Sequence, residues 1–260
     1  MEPNCYKLIF SLIIKNTISF TVVNKREEVS VIYNKDNDKF TYNNQNELSK
    51  IINDNKLQLK KILHSALKGK QIKNHPIHFG FIKGFPFINS HDFNHYIQVD
   101  RRNNGLDIQV RKKETNNIYK IFADGSYSKN EEQSGFAGII EDEKGNQQVF
   151  QECLPVKSSN LIELLAVTEG LKRLIHIDKI QVNTDSRYVI RGLIQWVHFW
   201  KLNNWHTAQG NKVKYASHWQ QIDKLSDNKL IELKWIKGHS GDVNHSYCHQ
   251  MAKQLATNKD

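Results

Sequence analysis

YKIFADGS, residues 119–126, decides the fold: Ile118 to Phe122 reads as a strand that delivers Asp124 into a Gly125-Ser126 turn. Working outward, Phe136 to Ile140 returns as a second strand and Gln147 to Leu154 as a third, which makes a β-meander. In SSNLIELLAV (158–167), Ser158 or Ser159 can cap a helix. Its Leu161, Leu164, Leu165, Val167, Leu171 and Leu174 follow a helical period, which places Glu163 near the first turn. Lys179 to Val182 then reads as a short buried strand ending at Asp185, within IQVNTDSRYV (180–189). Three antiparallel strands, a helix, a fourth strand and further helices describe an α/β unit, a mixed sheet with helices on its faces.

Acidic groups at the end of an apolar strand or inside an apolar helix cost desolvation unless positive charge gathers them. A pair of divalent cations is the simplest gatherer. Two cations held by a bridging carboxylate and its neighbours suit phosphodiester hydrolysis. Singly, Asp124 reads as a strand-end turn, Glu163 as a solvated helix residue, Asp185 as a cap and His239 as a loop histidine. Their joint occurrence carries the chemical reading.

With these acids come NTDSRYVIRG (183–192), QWVHFWKLNNWHTAQGNKVKYASHW (195–219) and WIKGHSG (235–241). In this order and spacing, residues from about 118 to 257 resemble a type 1 ribonuclease H. The resemblance implies a ribonuclease H-like five-stranded mixed sheet flanked by helices, and endonucleolytic cleavage of the RNA strand of RNA-DNA hybrids. It implies two divalent cations, Mg²⁺ or Mn²⁺, with Asp124 bridging them and Glu163 and Asp185 holding the leaving-group metal. His239 would shuttle protons or assist product release. The family's fourth acid falls at His249, in NHSYCHQMAKQLA. Imidazole suits Mn²⁺ better than Mg²⁺, so His249 as fourth ligand shifts the expected metal preference. The alternative is a catalytically weak hybrid-binding protein. His245 and His249, four apart and preceded by His239, superficially resemble zinc-ligand spacing, but there is no HExxH motif and no cysteine pair.

The resemblance also implies a substrate surface. Asn130 and the run Ser158, Ser159, Asn160 are positioned to sense 2′-hydroxyls. Trp196, Trp200, Lys201, Trp205, Lys212 and Lys214 form a basic, aromatic protrusion suited to a sugar-phosphate track, with Trp196 and Trp200 on one helix face. The family's glycine-rich turn is replaced here by residues 129–134, KNEEQS, and its arginine by Leu161.

The chain has 260 residues and a formal net charge of +10. Residues 1–117 hold 19 Lys and Arg against 11 Asp and Glu, whereas 118–260 hold 18 against 16, so the excess lies in the N-terminal part. There, Leu8 to Ile14, Ile18 to Val23 and Val29 to Tyr33 read as strands, and residues 46–67 as helix interrupted near 53–55. HYIQVDRRNNGLDIQVRKK (95–113) reads as a hairpin. The expectation is a separate basic α+β domain over 1–115, a boundary between Lys113 and Asn117, and a catalytic domain over 116–260. A basic module attached to a nuclease suggests added phosphate contacts. Lys7 and Lys15 break the apolar N-terminus, so neither a signal peptide nor a membrane span fits. Cys5, Cys153 and Cys248, widely spaced and read as small buried side chains, point to a reducing compartment. The chain therefore reads as a soluble, cytoplasmic monomer.

Overall fold

The computed structural model describes residues 5–68, 75–81, 92–238 and 241–257. Two compact units emerge, one of Pro3–Phe87 with His198–Lys214, the other chiefly of Ile88–Val197 with Tyr215–Asp260. Among the described residues no helix is long and apolar enough to cross a membrane.

In the N-terminal unit, β1 (Tyr6–Ile14), β2 (Thr17–Val23), β3 (Glu28–Asn34) and β4 (Lys39–Tyr42) form a meander, and β5 (Ile77–Phe79) pairs with the free edge of β1. All five strands are antiparallel. Strict alternation buries Ile18, Phe20 and Val22 on β2, and Val29, Val31 and Tyr33 on β3. This single apolar face packs Leu48 and Ile52 of α1 (Glu47–Asp54) and Leu59 and Leu63 of α2 (Lys56–Lys68). Asn46 caps α1 by accepting from the Ser49 N–H at 2.9 Å, and the break expected near 53–55 falls at Asn55. Inside this unit the Asn203 carboxamide reads β5 as a neighbouring strand would. Its Oδ1 accepts from the His78 N–H at 2.8 Å and its Nδ2 donates to the His78 carbonyl at 2.9 Å.

The second unit is built on β6 (Tyr96–Asp100), β7 (Asp107–Arg111), β8 (Tyr119–Ser128), β9 (Gln133–Glu141), β10 (Gln147–Leu154), β11 (Lys179–Thr184) and β12 (Leu230–Trp235). The strand order is β10-β9-β8-β11-β12-β6-β7, with β11 parallel to both β8 and β12. The helices are α3 (Ser159–Arg173), α4 (Arg187–Arg191), α5 (Val197–Leu202, reaching into the first unit's segment), α6 (Ala216–Leu225) and α7 (Val243–Thr257). A π-helical turn over Gly192–Trp196 links α4 and α5.

The mixed sheet therefore has seven strands where five were expected. The two extra strands are the 95–113 hairpin, which the sequence reading assigned to the N-terminal module. Here β6 pairs antiparallel along β12, from Leu230↔Asp100 to Lys234↔Tyr96. The physical reason is partly polar. Glu232 of β12 is fully buried and needs donors. Gln98 of β6 donates to it at 2.9 Å, Gln181 of β11 at 2.8 Å, and the Thr115 hydroxyl at 2.6 Å. Arg101, at the hairpin turn, adds a nearly buried ion pair to Asp223 of α6 at 2.5 Å.

A second difference concerns Gly125-Ser126. No turn occurs there; β8 continues to Ser128, paired with β9 as far as Ser128↔Gln133. Glycine marks a close backbone approach here, one of the roles it takes inside strands. A Cβ on Gly125 would lie 2.8 Å from the Glu163 nitrogen and from Ile162 Cγ2.

Candidate active site

Parallel pairing sets the first two carboxylates side by side. Asn183 of β11 is level with Phe122 of β8, so two residues further on Asp185 and Asp124 emerge on the same face of adjacent strands. Asp124 is buried, 2 % exposed. Asp185 follows the end of β11, its carbonyl accepting from Trp235 Nε1 at 3.0 Å. Trp235 is itself wedged between Phe93, whose ring centroid is 5.8 Å away, and the Arg187 guanidinium at 4.5 Å. Residues ahead of the hairpin thus buttress Asp185.

Glu163 arrives from the opposite face, on α3, through the gap that Gly125 leaves. Its helix starts at Ser158, whose hydroxyl accepts from the Leu161 N–H. The Glu163 carboxyl is held well above the usual carboxylate range, by burial first and then by the charges of Asp124 and Asp185. Burial and the Asp185 charge likewise raise Asp124. Glu163 Oε2 is buried with no hydrogen-bond partner among the described residues. Mutually repelling, desolvated carboxylates with an orphaned oxygen are what a bound cation would relieve. Gly125→Ala should force α3 off β8, costing about 1–3 kcal/mol of stability and lowering cation affinity; thermal melts with and without Mn²⁺ check both.

The third wall is α7. Asp242 starts it, accepting from the His245 N–H at 2.9 Å, so it serves as a cap. Cys248 packs in a cluster with Phe122, Ile139 and Ile236, and burial pushes its thiol up to about 12. That contact turns His245 and His249, one helical turn apart, toward the carboxylates. His249 Nδ1 lies 2.8 Å from Asp124 Oδ2. His245, 4 % exposed, contributes a ring nitrogen to a group in which one ligand atom each from Asp124, Asp185 and His245 lies within 4.8 Å of the others. Sequence reading considered His245 only for zinc; its histidine-x-x-x-histidine spacing with His249 was the signal available. His239 lies outside the described residues.

Other expected site residues are distributed. Asn130 sits in the turn after β8, exposed, and Ser159 and Asn160 are exposed in the first turn of α3. Trp196 lies in the π-helical turn, 5.6 Å from the Tyr188 ring. The π-turn and a left-handed Trp205 (φ 58°) break up the regular helix expected around the tryptophans. Trp200 and Trp205 are half-buried, while Lys201, Lys212 and Lys214 are exposed, all in the N-terminal unit. That unit also holds a cavity of about 500 Å³ lined by residues including Pro76, Leu202, Asn203 and Thr207, and by none of the carboxylates. Cys5 is half-buried, Cys248 buried, and Cys153 is exposed, unlike the buried position expected for it.

The RNase H family model matches residues 116–257. Ribonuclease HI of Vibrio cholerae serotype O1 is 35% identical over 143 residues, covering 55% of this chain and 91% of its own. The ribonuclease H of Idiomarina loihiensis is 35% identical over 137 residues, covering 53% and 87%. The solution structure of the PFV RNase H domain aligns with a TM-score of 0.43 at 23% identity, over 55% of this chain and 94% of that one. With its acids gathered at the ends of parallel strands and the family match spanning more than half its length, this chain belongs to the ribonuclease H family.

Proposed function

We propose that the protein hydrolyses the RNA strand of RNA-DNA hybrids endonucleolytically, using divalent cations, Mg²⁺ or Mn²⁺, held by Asp124, Glu163 and Asp185 with a histidine of α7. One observation carries the reading: Asp124, Asp185 and His245 each offer a ligand atom within 4.8 Å of the others, beside a Glu163 whose carboxyl is raised by burial and by the charges of both aspartates. The donor set is hard oxygen with imidazole nitrogen, which fits such ions. When bound, the cations supply Lewis-acid stabilisation of the phosphodiester and of the attacking and leaving oxygens.

The side chains themselves do the following. Asp124, between strand and α7, is oriented by the His249 N–H, which donates to its Oδ2. Burial beneath α7 keeps water from competing for Asp124. Asp185 and Glu163 close the site from β11 and α3. His239, a few positions before α7 in the sequence, is the candidate proton carrier. Asn130 and Ser158 to Asn160 are the candidates for reading the ribose of the cut strand. Trp196, Trp200, Lys201, Trp205, Lys212 and Lys214 are the candidates for gripping the other strand. Three cysteines without a disulfide fit a reducing, cytoplasmic setting, and we propose that the protein works as a monomer.

The test uses labelled hybrid, RNA duplex and DNA duplex, each in Mg²⁺ and in Mn²⁺. The expected result is internal cuts confined to the RNA of the hybrid, leaving 5′-phosphate and 3′-hydroxyl ends. Tight hybrid binding without cleavage in either metal would replace this reading by one of recognition alone.

A further inference from the structure

The two histidines of α7 stand in different chemical situations. His249 Nδ1 is 2.8 Å from Asp124 Oδ2, and since an ionised carboxylate only accepts, the ring donates through Nδ1. That bond commits Nδ1 to orienting Asp124. His245 differs. Its residue is 4 % exposed and its Nε2 is buried with no hydrogen-bond partner among the described residues. The nearest carboxylate oxygen, Asp185 Oδ1, is 3.9 Å away, too far for a hydrogen bond. Yet one of its ring nitrogens lies within 4.8 Å of ligand oxygens of both Asp124 and Asp185, close enough for the three side chains to share one ion, and Nε2 is the nitrogen that faces Asp185. The helix cap fixes the His245 backbone through Asp242.

We infer that His245 Nε2 is a metal ligand, completing with Asp124 and Asp185 a mixed nitrogen-oxygen site that favours imidazole-accepting cations such as Mn²⁺ and Co²⁺ over Mg²⁺. The inference rests on the ribonuclease reading for the role of the carboxylates, and it separates the histidines, His245 binding the ion and His249 positioning Asp124. A buried histidine that merely packs against the sheet would leave Nε2 without a partner, which proteins avoid.

The test is metal binding by the whole protein, without nucleic acid. Metal-free wild type, His245→Asn and His249→Asn are titrated with Co²⁺, followed by visible absorption, and with Mg²⁺, followed by calorimetry. His245→Asn should weaken Co²⁺ by about tenfold or more and shift its absorption toward an all-oxygen spectrum, while Mg²⁺ affinity changes far less. His249→Asn should leave the nitrogen signature of the Co²⁺ spectrum in place. An unchanged Co²⁺ affinity and spectrum in His245→Asn overturns the assignment. If that variant fails to fold, ¹⁵N spectra of wild-type histidine rings decide. A large Zn²⁺-induced shift at His245 Nε2 supports the ligand, and no shift overturns it. Hybrid cleavage by wild type is scored apart. Cleavage with an indifferent His245 removes this inference and leaves the ribonuclease reading, whereas a Co²⁺ loss in His245→Asn without wild-type cleavage does the reverse.

Discussion

Asp124→Asn should abolish hybrid cleavage in every divalent metal and, in the metal-free protein at neutral pH, raise the melting temperature. Loss of a charge that helps hold the cations forfeits several kcal/mol of transition-state stabilisation, on the order of 10³-fold in rate. The stability gain follows from burial. Asp124 and Glu163 have their pKa values raised by desolvation and then by neighbouring charge, that of Asp185 on Asp124 and those of Asp124 and Asp185 on Glu163, so the folded chain holds these protons more tightly than the unfolded chain does. Stability contributed by the protonated forms is therefore complete below the ordinary carboxylate range, about pH 4. It is lost as pH rises through the raised values. Asparagine removes one buried charge and relieves the repulsion on Glu163, so the variant should melt higher by on the order of a few degrees at pH 7. The advantage should vanish near pH 4, where the wild-type carboxyls are protonated as well. Saturating Mn²⁺ should invert the order, because only the wild type binds it well. Equal melting of the two metal-free proteins at pH 7 would show that the cluster is not strained.

The second large effect concerns where the catalytic unit starts. A chain of residues 116–260, cut where the family match begins, should be far less stable than one of residues 92–260. The shorter chain loses Phe93, Ile97, Val99 and Ile108, all buried. At roughly 1.5–3 kcal/mol each, their gross contribution rivals the whole stability of a domain, about 5–15 kcal/mol. It also turns β12 into an open edge prone to association, and it strips Glu232 of the donors from Gln98 and Thr115. A buried carboxylate left with unmet lone pairs is among the costlier defects a core can carry. Circular dichroism melts and size-exclusion profiles of the two chains give the answer; melting within about 2 °C of each other would mean that the hairpin is ornamental. The 92–260 chain should also bind hybrid with a shallower salt dependence than the full chain, since it lacks most of the basic excess.

Much of the site was legible before any fold was built. A strand delivering Asp124, a capped helix carrying Glu163 and a short buried strand delivering Asp185 are local patterns, and each element formed about where its period placed it. The helical break at Asn55 and the first three strands of the N-terminal sheet were local in the same sense. Short β4 and β5 were missed because four and three residues carry too little periodicity to register.

What the chain alone determined was which residues alternate, where helices begin and which acids stand where apolar elements bring them together, because these depend on neighbours a few positions away. What tertiary structure decided was partnership across long separations. The 95–113 hairpin carries the same alternation whichever sheet it joins; it lies on β12, where Ile97, Val99 and Ile108 are buried and where Glu232, more than 110 residues later, finds donors in Gln98 and the nearby Thr115. Gly125 reads as a turn in isolation and becomes the gap that admits α3 only once that helix lies across the strand. Within its own helix His245 shows only its spacing from His249; packing of Cys248 against Phe122 aims it at Asp124 and Asp185. Strand pairing and helix facing are settled by the burial of polar and apolar surface in the assembled core, and no local window of sequence contains that surface.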